Sequence, residues 1–93
     1  MKARVYVTYR RGILDPQGDA VARSLAGLGF DDVSGVRIGK LIDIDLRTTD
    51  RSTAERRVED MCRRLLANPV IEDYRYEVLD GAEASDQPTP KGP

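Results

Sequence analysis

Chemistry in a protein needs nucleophiles, bases, metal ligands or phosphate cradles, and this sequence holds few of them. It contains no histidine and a single cysteine, Cys62. Without histidine the commonest general base and the commonest metal ligand are missing. One cysteine builds neither a zinc site nor a Cys–His pair, and no histidine stands ready for a Ser–His pair. Asp43 and Asp45, two residues apart, point the same way on a strand. Such a pair can do acid–base work or hold a cation, but the solvated face of an edge strand is the plainer reading. Gly35-Val36-Arg37-Ile38-Gly39-Lys40-Leu41 resembles a phosphate loop, yet its spacing is wrong and no Ser or Thr follows the lysine to hold magnesium. Tyr9, Arg10, Arg11, Arg37 and Lys40 could gather into a basic patch for an anion or a partner. With 15 Lys plus Arg against 16 Asp plus Glu, scattered surface charge is the plainer reading. Cys62 falls on the apolar stripe of a helix and reads as a small buried hydrophobe. Tyr74 and Tyr76 read as core or interface rings.

The sequence offers two corners instead of a catalytic constellation. The first is Gly12-Ile13-Leu14-Asp15-Pro16-Gln17-Gly18. Asp15 is a good N-cap, because its carboxylate accepts a bond from an orphan amide of the first turn. Pro16 then falls at the first helical position, where its missing N–H costs nothing. The second is Leu65-Leu66-Ala67-Asn68-Pro69-Val70-Ile71-Glu72-Asp73-Tyr74, a helix-to-strand corner. Asn68 suits the left-handed position after the helix, and Pro69 blocks its continuation.

The elements that position these corners follow from periodicity. Arg4–Arg10 alternates as a strand, with Val5, Val7 and Tyr9 on one face. A helix over Pro16–Leu28 carries Val21, Leu25 and Leu28 as its stripe and ends on Gly29 in a Schellman motif, with Phe30 after it. Between Val33 and Leu46 the apolar residues Val36, Ile38, Ile42, Ile44 and Leu46 share one parity. A two-residue hairpin at Gly39-Lys40 would turn Asp43 and Asp45 inward, so the pattern predicts either one long strand bent at Gly39 or a turn of odd length. Ser52-Thr53-Ala54-Glu55 reads as a capping box opening a second helix. Its stripe is Ala54, Val58, Met61, Cys62 and Leu65. Truncating a core Leu65 to Ala would cost about 2–5 kcal/mol. Val70–Leu79 is the last strand, with Tyr74, Tyr76 and Val78 on one face. The order β-α-β(β)-α-β predicts an α+β two-layer sandwich, an antiparallel sheet with two helices on a ferredoxin-like plan.

The 93 residues make one domain the expectation, residues 1–80, with a disordered tail over 81–93 that has no apolar residue larger than Ala. So small a domain buries only about 60% of the surface its unfolded chain exposes. A partner is therefore expected: a homodimer or higher even oligomer, with Ile42–Leu46 pairing edge to edge. A net charge of −1 argues against a nucleic-acid binder. No apolar run approaches the ~18 residues of a membrane span, and Met1-Lys2-Ala3-Arg4 leads straight into a strand without a signal-like apolar core. A cytoplasmic protein is expected.

The two corners, the run Val36-Arg37-Ile38-Gly39-Lys40 between them, and Met61-Cys62 resemble, in this order and in so short a chain, the PurS family. That family is the small subunit of phosphoribosylformylglycinamidine (FGAM) synthase in bacteria and archaea. The resemblance covers about residues 2 to 79. It implies a PurS-like fold and a non-catalytic subunit bridging two partners in de novo purine biosynthesis. One is a large subunit, PurL, holding ATP and magnesium; the other is a glutaminase, PurQ, releasing ammonia with a cysteine nucleophile. The complex is a ligase, converting formylglycinamide ribonucleotide to the amidine. This chain would bind no cofactor or metal and be inactive alone. Corner residues are held rigidly by backbone geometry, so partner binding is assigned to Leu14, Asp15, Pro16, Gln17, Gly18, Arg37, Gly39, Lys40, Asn68, Pro69, Glu72 and Tyr74. The alternative is an ACT-like regulatory module, a small α+β sandwich that binds an amino acid beside a glycine-bearing loop. It leaves Asn68-Pro69 and Arg37-Ile38-Gly39-Lys40 without a role.

Overall fold

Alternation in Lys2–Tyr9 makes β1, the central strand. Ala3, Val5 and Val7 share one face and are fully buried. β2 (Lys40–Asp45) and β3 (Glu72–Leu79) flank it, both antiparallel, in the order β2-β1-β3. The computed structural model describes residues 1–80; the expected disordered tail lies outside the described residues. The register sets Val5 between Ile42 and Tyr76, so Ile42, Ile44, Leu46, Tyr74 and Tyr76 close on the same apolar row. Helix α2 (Arg51–Met61) covers that face with Ala54 and Val58, and Cys62 just past its end continues the row, the three spaced four apart and all fully buried. The fold class is the expected one, α+β in the order β-α-β-α-β.

Topology decides which helix is buried. β2 and β3 are each antiparallel to β1, hence parallel to one another. Joining parallel strands requires a crossover, and α2 is that crossover, laid across the sheet. β1 and β2 are antiparallel neighbours, so the chain between them must return to the end it left. Helix α1 (Pro16–Gly27) runs out and residues 28–39 run back. That path never lays α1 on the sheet, and its only buried residue is Gly18. The expected stripe therefore stays out of the core of its own chain, with Leu28 74% exposed. The ends of α1 are as expected. Asp15 caps it, Pro16 opens it, and Gly29 adopts φ +99° while the Phe30 amide bonds the Leu25 carbonyl and the Gly29 amide that of Ala26.

Four expectations are corrected. Residues 33–39 form neither a long strand nor a hairpin arm, because their polar groups bond to α1 and to the end of β1 rather than to a sheet edge. The cap of α2 is Asp50, not Ser52. Its carboxylate accepts the Thr53 amide and hydroxyl and the Ser52 hydroxyl, which starts the helix two residues earlier, at Arg51. Asn68 is not left-handed: among the described residues only Gly12 and Gly29 have positive φ. Its side-chain oxygen instead accepts the Val70 amide at 3.0 Å, turning the chain. Finally, Leu65 is 82% exposed. After Met61 the helix widens into a π turn, Cys62–Leu66, closed by the Ala67 amide on the Cys62 carbonyl. The wider turn carries Leu65 out to solvent and brings Leu66 against the core.

The second sheet face is polar. Arg4 Nε lies 2.9 Å from Asp43 and Lys2 Nζ 3.9 Å from Asp45. The two aspartates are thus each paired across to β1, an ion-paired strand face and not an acid–base dyad. Burial pushes the Cys62 thiol up, away from the reactive thiolate.

Candidate functional site

The two corners meet at one end of the sheet, where β1 leaves and β2 and β3 enter. Asp15 is the joint of the first. It is 4% exposed. One carboxylate oxygen accepts the Gly18 amide at 2.9 Å, and the other accepts the Ile38 amide at 2.8 Å. The Ile38 amide first, then that of Gly18, with the Arg37 charge adding, hold its carboxyl below the usual carboxylate range. The contact is close enough to require glycine. A Cβ on Gly18 would overlap the Val36 carbonyl oxygen, and one on Gly39 would overlap that of Val7. Residues 36–39 therefore lie directly against the first turn of α1 and the end of β1. Arg37 adds a clasp, its Nη2 donating to the Tyr9 and Arg10 carbonyls at 2.9 and 3.0 Å.

Arg10 fastens the second corner to the first. Its amide donates to the Ile71 carbonyl at 2.9 Å, its guanidinium donates to the Pro69 carbonyl, and Nε stands 3.7 Å from the Asp73 carboxylate. The Glu72 carboxylate accepts the Asn68 amide at 2.7 Å. A cleft of about 240 Å³ opens beside the joint, lined by Thr8, Tyr9, Gln17, Ile38, Lys40 and Glu72 among others.

Of the residues assigned from sequence, this end gathers Asp15, Pro16, Gln17, Gly18, Arg37, Gly39, Lys40, Asn68, Pro69 and Glu72. Leu14 stands beside them, 71% exposed. Tyr74 does not join them at the surface. Its ring packs in the core layer, and its hydroxyl donates to Glu59 on α2 at 2.6 Å. Tyr76 donates to the other oxygen of Glu59 at 3.0 Å, and Arg63 Nε donates at 3.1 Å. The Tyr74 hydroxyl above all, then Arg63 and Tyr76, hold the Glu59 carboxyl low. The same bond raises Tyr74, while Tyr76 is raised first by burial and then by Glu59. Glu59 lies outside the apolar stripe of Ala54, Val58, Met61, Cys62 and Leu65, and nothing in that stripe singles it out. The usable signal was that two half-buried phenols need an acceptor. Arg10 was likewise set among scattered charges; only the geometry shows it as a staple.

Arg37 changes meaning as well. It lies on no strand, and its guanidinium holds two backbone carbonyls, so its substitution would disturb the joint itself. Lys40 is exposed and makes no side-chain bond among the described residues. Among the described residues no three His, Cys, Asp or Glu side chains converge on a possible metal site, and no helix is long and apolar enough to cross a membrane. The arrangement holds Leu14, Gln17 and Lys40 rigidly outward on a braced backbone, which suits binding to another protein.

Comparison with known proteins finds relatives of this chain. The family model described as PurS, phosphoribosylformylglycinamidine (FGAM) synthase, matches residues 2–80. The phosphoribosylformylglycinamidine synthase subunit PurS of Synechocystis is 51% identical over 81 residues, 85% of this chain and 81% of that one. The crystal structure of Methanocaldococcus jannaschii PurS, one of the subunits of formylglycinamide ribonucleotide amidotransferase, superposes with a TM-score of 0.77 at 40% identity. It covers 85% of this chain and 95% of that one. A chain of the PurLQS structure from Thermotoga maritima superposes with a TM-score of 0.76 at 32% identity, covering 84% and 95%.

Proposed function

This chain belongs to the PurS family, and from that membership we propose that it is the non-catalytic small subunit of FGAM synthase. It bridges the large subunit PurL, which uses ATP and magnesium, and the glutaminase PurQ, so that glutamine-derived ammonia converts formylglycinamide ribonucleotide to the amidine in the cytoplasm. The chain alone turns over neither ATP nor glutamine, and it works as a homodimer or higher even oligomer. The amino-acid-binding regulatory alternative is not favoured.

The observation carrying this reading is the convergence of the three motifs on one braced, exposed end of the sheet, without a nucleophile–base pair beside them. That end is the proposed contact with the larger subunits: Leu14, Gln17 and Lys40 touch the partner, while Asp15, Gly18, Arg37, Gly39, Asn68 and Glu72 hold them in place. The test is reconstitution from three purified subunits. Glutamine-dependent amidine formation should require this chain. Lys40→Glu should weaken association with the large subunit while leaving the fold within about 0.5 kcal/mol of wild type, as for a surface site. Full glutamine-dependent activity without this chain would overturn the bridging role. Wild-type behaviour of Lys40→Glu together with Leu14→Asp would leave the role standing and remove this surface from it.

A further inference from the structure

After Met61 the helix does not simply stop. It widens into the π turn Cys62–Leu66, where the Ala67 amide reaches the Cys62 carbonyl, five residues back, at 3.1 Å. Such a turn holds one residue more than an α turn. The surplus has a cause at each end. Upstream, the helix is fixed by the fully buried Val58 and Cys62 and by Glu59, which accepts the hydroxyls of Tyr74 and Tyr76. Downstream, the corner is fixed to the end of β1. The Arg10 amide donates to the Ile71 carbonyl, and its guanidinium to the Pro69 carbonyl. The Glu72 carboxylate accepts the Asn68 amide, and the Asn68 carbonyl accepts the Glu72 amide. Between these anchors the chain has one residue too many for an α-helix, and the wide turn takes it up.

The surplus falls on two identical side chains. Leu66 packs on the core, whereas Leu65 is 82% exposed, on a groove of about 440 Å³ that Ile44, Met61 and Leu66 also line. An α turn would carry Leu65, four residues after Met61 and seven after Val58, to the place that Leu66 now fills. The core would receive the same side chain from the neighbouring position, so the burial term cancels between the two turns. What remains is small on both sides: the poorer geometry of a π turn against a few hydrogen bonds at an exposed corner. An element with two arrangements of equal burial answers to its ends rather than to its core.

We propose that Cys62–Leu66 is a register switch. Its wide turn, with Leu66 in the core, exchanges with an α turn that places Leu65 there, and the corner at residues 68–73 selects between them. With the corner stapled by Arg10, the wide turn prevails. When the staple lets go, the surplus residue passes into the corner and Leu65 turns inward. A partner that grips this corner thereby resets the end of α2. That last consequence rests on the partner contact proposed above; the exchange of registers does not.

The test is a pair of double-mutant cycles, read by chemical denaturation of the full chain at high dilution. Leu65→Ala alone should leave the unfolding constant within about twofold of wild type, as at other exposed sites. In a Leu66→Ala background Leu65 is the side chain in the core, so the same substitution should cost about tenfold or more. In an Arg10→Ala background, where the wide turn has lost its staple, it should cost about threefold or more. The same small effect of Leu65→Ala in every background means a fixed turn and overturns the switch. So does a Leu66→Ala chain that fails to fold, because Leu65 would not have taken the vacated place. Additivity with Arg10→Ala alone overturns the corner's control. In the complex, thiol labelling reads the same exchange, since the buried Cys62 stays unreactive. Association with the large subunit should change the labelling of Leu65→Cys and Leu66→Cys in opposite directions. No change, or a parallel change in both, overturns the link to the partner. Failure of the large subunit to bind the wild-type chain overturns the partner contact and that link together, and leaves the switch to the two cycles.

Discussion

Helices α1 and α2 have twelve and eleven residues, and each carries an aspartate cap. α2 is the roof of the core, and α1 stands off it. Their stripes do not explain the difference; their connections do. α2 joins two parallel strands across β1 and must pass over the sheet, whereas α1 joins two antiparallel neighbours and must come back to where it began. Amphipathic spacing shows that a helix has an apolar side. Strand direction determines whether that side meets its own sheet. A helix whose connection leaves it unburied is available to a partner.

The widest separation between the two helices is expected from a charge placed on each. Val58→Asp sets an unpaired carboxylate at a fully buried position of α2 and should cost about 4 kcal/mol or more, enough to unfold so small a domain. Val21→Asp on α1 should stay within about 1 kcal/mol at high dilution, because the site is already open to water. Urea midpoints measure both. Equal losses would mean that α1 packs on the sheet in solution and that the contrast is false.

A smaller effect is expected at the joint between arm and body. Gly18→Ala sets a methyl group onto the Val36 carbonyl oxygen and the Asp15 carboxylate, where neither backbone nor cap can yield freely. The expected cost is about 1–3 kcal/mol. Hydrogen exchange gives the sharper readout. The Ile38 amide should lose protection, since its acceptor is Asp15, while the Val5 and Val58 amides keep theirs. Uniform loss across the chain would make arm and body one cooperative unit.

How much of this was legible follows the same division between local and tertiary causes. The Asp15–Pro16 start and the Gly29 ending of α1 are decided within a few residues, and both appear as read. So does the parity of β1 and of Tyr74, Tyr76 and Val78 on β3. The strand expected over residues 33–46 came from a parity that the chain really has. Val36 and Ile38 are half-buried, but against the joint rather than in the sheet, because Asp15 and Arg37 take the backbone bonds a strand would have used. Asp50 outcompeted Ser52 as cap because its carboxylate reaches the Thr53 amide and both neighbouring hydroxyls at once. The candidate site was found as two separate corners. What joins them, Arg10 and Arg37 on backbone carbonyls 59 and 28 residues away in sequence, leaves no local mark.

The smallest expected effect is the most discriminating for α2 itself. Leu65 and Leu66 are adjacent, identical in type and at the end of one helix. A continuous α-helix would set Leu65 on the stripe of Val58 and Cys62, and its truncation would then cost the ~2–5 kcal/mol of a core leucine. The π turn adds a residue to the last turn and exchanges the two: Leu66 packs on the core and Leu65 does not. At a dilution where any contact between copies is dissociated, Leu65→Ala should therefore change the unfolding free energy by no more than about 0.5 kcal/mol. Leu66→Ala, at a half-buried site, should cost about 1–3 kcal/mol. Chemical denaturation of the two variants side by side removes every uncertainty shared between them. A larger loss for Leu65→Ala would restore the α-helical phase and close the groove that the exposed leucine lines. The expected order would place the widened turn at the point where the chain takes a leucine out of its own core.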